Sequence, residues 1–147
     1  MEPEGDVQGV LRLQQRYCDA VNRRDWDGFE STFAEDGRWV IPAANIDMRG
    51  RRNIRESNER HFDNCEYIVM LIGSQHVERC TAEMATGYTV FQSFQRQKTG
   101  GSNGLRIVIL YQDTLQRNID RWEFTERRGS FLLRDEGLAF PPPPLPR

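Results

Sequence analysis

No stretch of these 147 residues approaches the roughly 18 consecutive apolar positions of a membrane-spanning helix, so no helical span is expected. Neither charge is in excess. Twenty basic residues stand against 22 acidic ones, and the basic ones are scattered, which leaves nucleic acid without an electrostatic footprint. The opening MEPEGDVQGV has neither the basic n-region nor the apolar h-region of a secretory signal, so a cytoplasmic location is expected. Cysteine is sparse and odd in number. Cys18, Cys65 and Cys80, at unrelated spacings, predict reduced thiols and no metal site. No internal repeat is visible. The length predicts a single domain over 1–139, long enough to bury about two-thirds of its unfolded surface. The proline-rich end, 140–147, predicts an extended tail.

What the chain does contain is a change of period. Val10, Leu13, Tyr17, Ala20 and Val21 recur at three- and four-residue intervals, the mark of one buried helical face. Asp25 is a candidate N-cap for a second helix over Trp26, Phe29, Thr32 and Phe33, which the Glu35-Asp36-Gly37 turn stops. Residues 38–41 read as a short strand broken by Pro42. The charged segment 50–62, anchored by Ile54 and Phe62, predicts a lid-like surface helix. After Cys65 strands take over. Residues 67–77 are apolar on both parities, which predicts a strand covered on two sides. Residues 81–96 are rich in Thr, Tyr, Val and Phe, 98–104 form a hairpin loop by composition, 105–117 alternate cleanly, and 121–133 complete the run. Helices followed by an antiparallel meander predict an α+β domain in which a curled sheet wraps the N-terminal helices.

Four pieces of sequence resemble one family in the same order. They are Tyr17 with Arg23-Arg24-Asp25-Trp26-Asp27 and Phe33-Ala34-Glu35-Asp36-Gly37-Arg38-Trp39; Met48-Arg49-Gly50-Arg51-Arg52-Asn53-Ile54; Tyr111-Gln112-Asp113; and Trp122-Glu123-Phe124-Thr125-Glu126-Arg127. Over nearly its whole length the chain resembles the SnoaL-like family of the nuclear transport factor 2-like superfamily. The resemblance implies a cone-shaped α+β barrel, a bent sheet around a central pocket closed by the first helices. It also implies a homodimer or homotrimer, hydrophobic and often cyclic guests, and chemistry that needs no cofactor. Members include scytalone dehydratase, bile-acid dehydratase, polyketide cyclases and isomerases; others serve as carriers or scaffolds.

The resemblance also locates a departure. Dehydratase-like members pair an Asp at the end of the first helix with a His near the long strand, the carboxylate orienting the imidazole base. The matching positions here are Asn22 and Met70. An amide cannot hold an imidazolium, and a thioether accepts no proton near neutral pH. The pair's contribution, about 10²–10⁴ in rate, is therefore expected to be missing. Tyr17 remains as a hydrogen-bond donor to a substrate carbonyl, or as a packed phenol bonded to the backbone. His76 shares strand parity with Met70 and Ile72 and is the candidate base, with a strand-end role as its alternative. His61, in a charged helix, is expected in solvent. Trp39 is expected to line or floor the cup or to pack as a plain core tryptophan, and Thr89, Phe91 and Ser93 share the strand face that the resemblance puts nearer the cavity. Arg127 and Asp113 are expected to form sheet ion pairs.

Three function classes follow. The favoured one is an enzyme of lyase, isomerase or cyclase type acting on a small hydrophobic, cyclic metabolite with a degenerate acid–base site. The others are a binding protein without chemistry and a scaffold like the small subunit of ring-hydroxylating dioxygenases.

Overall fold

A computed structural model describes residues 5–98 and 104–138. The expected hairpin loop, apart from its two ends, and the proline-rich tail lie outside these residues. Helix α1, Val7–Arg23, starts where the Asp6 carboxylate accepts a hydrogen bond from the Gly9 amide at 2.9 Å. It ends at Arg24 in the left-handed conformation, φ 59°. Its buried face carries Val10, Leu13, Tyr17, Ala20 and Val21, as the period predicts, with Gln14 and Cys18 beside them. Asp25 caps helix α2, Trp26–Ser31, by accepting from the Gly28 amide at 3.0 Å.

The second helix was expected to continue through Phe33, but β1 begins there and runs Phe33–Ile41. The cause is tertiary. The Phe124 amide donates to the Thr32 carbonyl at 2.8 Å, and Phe33 pairs with Phe124, which draws the chain into the sheet. Between Phe33 and Arg38 the register shifts, and the exposed Glu35-Asp36 segment read as a turn is this bulge. A 3₁₀ turn at Pro42–Ala44 leads to β2, Ile46–Arg49, and then to helix α3, Arg51–Asp63. The rest is β3 (Cys65–Cys80), β4 (Met84–Gln97), β5 (Gly104–Asn118) and β6 (Arg121–Leu138).

The fold is α+β: a curved, unclosed six-stranded sheet, order β2-β1-β6-β5-β4-β3, cupped around the helices. Strands β3 to β6 form the expected antiparallel meander, and β1 joins β6 in parallel. β3 was expected to be covered on both faces, but it is an edge strand whose Val69 and Leu71 are exposed. Helix α1 packs against its inner face. The core beneath is aromatic, with Tyr17, Phe29, Phe33, Phe91 and Phe124 all at 2% exposure or less.

Helix α3 is a charged surface helix, as expected, and it is fastened in place. Ile54 and Phe62 are buried, and the Trp26 ring stands edge-on to Phe62 at 5.1 Å. The Arg55 guanidinium reaches Asp27 at 2.6 Å, Glu30 at 2.8 Å and Glu59 at 2.6 Å. Networked charges of this kind hold better than isolated surface pairs.

Candidate functional site

Alternation along the inner sheet face builds a cavity of about 350 Å³. On β5, Leu105, Ile107, Ile109 and Tyr111 all line it, one row after another. Register sets their neighbours. Ile107 lies opposite Ser93 of β4 and Arg134 of β6, and Ser93 lies opposite Met70 of β3. All four residues of this row face the cavity, and Ile68, Gln95 and Leu105 form the next row toward the mouth. Trp39, Ile41 and Ile46 supply the opposite wall; His61 and Phe62 hang from α3. The volume sits at the lower end of the range for small-molecule sites, about 300–1,000 Å³.

Polar groups gather at two ends. At the floor, the Trp39 indole N–H donates to the Tyr111 hydroxyl at 3.1 Å, and the Tyr17 and Tyr111 rings meet edge-on with centroids 6.4 Å apart. Space for the Tyr111 ring comes from Gly129 opposite it on β6. A Cβ at Gly129 would lie 2.7 Å from Ile109 Cδ1 and 3.0 Å from the Tyr111 ring. Burial raises the pKa of Tyr17 well above an ordinary phenol, reinforced by Tyr111 and opposed by the Arg127 charge. Burial raises Tyr111 too, with Arg127, Trp39 and Tyr17 opposing. Both are therefore neutral donors near neutral pH.

This state makes a prediction for alkaline stability. An unfolded chain releases these two protons near pH 10, whereas the folded chain retains them, so stability must fall as pH rises. The contribution is whole below about pH 10 and is lost from there up through the raised folded values. Urea midpoints measured from about pH 8 to 11 should decline less steeply in Tyr17→Phe/Tyr111→Phe than in wild type. Equal slopes would mean the phenols are solvated.

Directly beneath the floor lies a buried charge. Arg127, fully buried, donates from Nε to Asp113 Oδ1 at 2.7 Å and from Nη2 to Asp113 Oδ2 at 3.1 Å. Thr89 and Gln14 also donate to Oδ2, at 2.7 and 3.1 Å. The guanidinium carbon lies over the rings of Tyr17 (4.4 Å), Tyr111 (4.4 Å), Phe124 (4.2 Å) and Phe91 (5.1 Å), a cation–π cage. The ion pair expected of Arg127 and Asp113 is present; its aromatic cage was not foreseen.

Near the mouth, His61 Nε2 lies 2.7 Å from Gln95 Oε1, and Gln95 Nε2 donates to Ser93 Oγ at 3.2 Å. With the amide oxygen accepting, Nε2 carries the hydrogen and Nδ1 holds the free lone pair. The sequence placed His61 in solvent because its helix is charged. Only the fold shows that its exposed ring borders the cavity.

Of the residues singled out from the sequence, Tyr17, Trp39, Met70 and Ser93 line the cavity. Thr89 and Phe91 share their strand face but lie deeper, fully buried, Thr89 bonded to Arg127 and Asp113. Asn22 stands outside. Its amide nitrogen donates to the Met70 carbonyl at 2.7 Å and its oxygen accepts from the Met70 amide at 2.8 Å, pinning β3 to α1. His76 does not face the cavity as expected. The register shifts between Ile72 and Gln75, so the inward parity passes from Met70 and Ile72 to Gln75. Gln75 bonds to Leu11 O and Gln14, while exposed His76 rests against Tyr88 with ring centroids 5.1 Å apart. Among the described residues no group of three His, Cys, Asp or Glu side chains could hold a metal ion.

The sequence matches the SnoaL-like domain over residues 5–128, which decides the family. The chain belongs to the SnoaL-like family. No curated protein matches it by sequence. Among solved structures, it is similar to hexachlorocyclohexane dehydrochlorinase LinA-type3 from Novosphingobium barchaimii LL02 at TM-score 0.80 and 15% identity. That match covers 92% of this chain and 94% of the other. A ketosteroid isomerase-like protein from Erwinia carotovora atroseptica aligns at TM-score 0.71 and 17% identity, covering 87% and 97%. At such identities the likeness shows the fold. Family and fold together support a ligand-binding or catalytic role for this SnoaL-like chain. No helix among the described residues is long and apolar enough to cross a membrane.

Proposed function

We propose that this SnoaL-like chain binds a small hydrophobic, cyclic metabolite in the 350 Å³ cavity and catalyses a cofactor-free lyase-, isomerase- or cyclase-type reaction. The observation that carries this reading is the pair of neutral phenols, Tyr17 and Tyr111, packed against each other at the floor of an apolar chamber. Fixed donors in a water-poor site stabilise oxygen charge that develops as a C–H or C–O bond breaks. Tyr17 donates to the substrate oxygen while Tyr111, oriented by Trp39, supports it. The base is an ordered water or His61, whose Nδ1 is free to accept. Asn22 and Met70 stand where relatives carry Asp and His, and the Asn22 amide is engaged with the Met70 backbone. The acid–base site is thus degenerate, and positioning of a productive conformer supplies the larger share of the rate. Soluble, cytoplasmic homodimers or homotrimers are the form in which we expect it to act.

α-Tetralone, a flat bicyclic ketone with exchangeable protons beside its carbonyl, tests the proposal. It should raise the melting temperature, since a ligand that binds only the folded state stabilises it. Proton NMR in D₂O should show its α-protons exchanging faster with protein than without. A melting shift without exchange supports a pure binding protein. No shift at millimolar ligand overturns the reading and, with co-purification of a larger subunit, leaves the scaffold.

A further inference from the structure

The side chains lining the cavity are unequal in charge. Four can ionise, Tyr17, Tyr111, His61 and Arg134, and no carboxylate is among the described lining residues. The one fixed charge facing the chamber is therefore positive. It sits toward the mouth, opposite Ile107, four residues along β5 from Tyr111 at the floor. At about 3.3 Å per residue the two levels are about 13 Å apart along the strand, before either side chain reaches inward.

Arg51, Arg52 and Arg55 of α3 are committed elsewhere, each held by carboxylates. Arg55 is held by Asp27, Glu30 and Glu59; Arg52 by Glu30 and Glu56; Arg51 by Glu123. Arg134 has a single carboxylate partner, Glu136, at 3.0 Å, and that pair is open to solvent, with side chains 45% and 69% exposed. An exposed pair of this kind holds its partner weakly, so a ligand anion can take its place. The Arg134 guanidinium carbon lies 5.6 Å from the Phe131 ring, which keeps the head near the apolar wall.

From these placements we infer that the ligand is an amphipathic organic acid. Its ring fills the apolar chamber with an oxygen at the Tyr17–Tyr111 floor, and its carboxylate is held at the mouth by Arg134. This builds on the ring-binding reading above and adds the chemistry of the ligand's other end. Arg134 is a specificity residue here, remote from the reacting oxygen. A cationic ligand is disfavoured by the same arrangement, since nothing lining the chamber balances its charge.

The probes are 6-hydroxy-2-naphthoate and its neutral isostere 6-hydroxy-2-naphthamide, titrated by their fluorescence. Wild type should bind the acid about tenfold more tightly than the amide, since the carboxylate adds an opposite charge to the hydrogen bond that either group accepts from Arg134. Arg134→Gln should abolish the preference, lowering acid affinity far more than amide affinity, while leaving the ligand-free melting temperature unchanged. Arg134→Lys should keep part of it. Glu136→Gln, which frees Arg134, should widen it. Equal affinity for acid and amide in wild type, or a preference that survives in Arg134→Gln, overturns the inference and leaves ring binding standing. Failure of the amide itself to bind overturns the ring-binding reading, and this inference with it.

Discussion

Replacing Asp113 with alanine should cost the fold about 3–5 kcal/mol, the usual penalty for stranding one member of a buried ion pair. The reason lies in what Asp113 receives. Its two oxygens accept from Arg127 Nε and Nη2, Thr89 and Gln14, and both charged partners are shielded from water. Without the carboxylate, Arg127 keeps only Thr89 and four aromatic faces, and its Nη1 already finds no hydrogen-bond partner among the described residues. Cation–π attraction, about 2 kcal/mol when desolvated, offsets part of the loss and cannot replace an anion. Urea unfolding followed by tryptophan fluorescence reads the change. Replacing both charges together, Arg127→Met with Asp113→Leu, should recover part of the stability, because the double variant strands no charge and leaves only the neutral donors of Thr89 and Gln14 without their acceptor. An Asp113→Ala midpoint equal to wild type would mean that water reaches Arg127. The dry floor beneath the phenols, on which their neutral state depends, would then be wrong.

How far the sequence alone could go differs between elements, and the difference has physical causes. Patterns that repeat within one element were readable. The α1 face and the β5 row Leu105, Ile107, Ile109 and Tyr111 follow from period alone, and Asp25 caps α2 because a carboxylate there meets a free amide. Features set by another part of the chain were not. Phe33 left its helix because β6 offered it a partner. Parity carried His76 to the cavity side only so long as β3 was assumed regular, and the register shift before Gln75 reversed it. His61 is exposed as expected, but period reports on a helix's own faces and not on Gln95, 34 residues away, to which its ring bonds. Arg127 and Asp113 could be paired in outline, whereas the cage needs rings from α1, β4, β5 and β6 at once.

Tyr17→Phe carries the largest functional effect expected of one atom. It deletes the hydroxyl at the cavity floor, yet keeps the ring against Phe29 at 5.2 Å and Phe91 at 5.7 Å. Stability should fall by only about 1 kcal/mol, since Tyr111 still accepts from the Trp39 indole N–H. Protein-dependent exchange of α-tetralone should fall about 10²-fold, the loss typical of removing one donor to a developing oxyanion. Its affinity should change far less, because the neutral ketone draws on that donor only weakly before charge develops. Tyr111→Phe should have the smaller effect, its hydroxyl acting through Tyr17. The two substitutions together should exceed neither single loss by much if the hydroxyls work as one unit. If Tyr17→Phe keeps both exchange and affinity at the wild-type level, Tyr17 is packing, and the chamber holds ligands without acting on them.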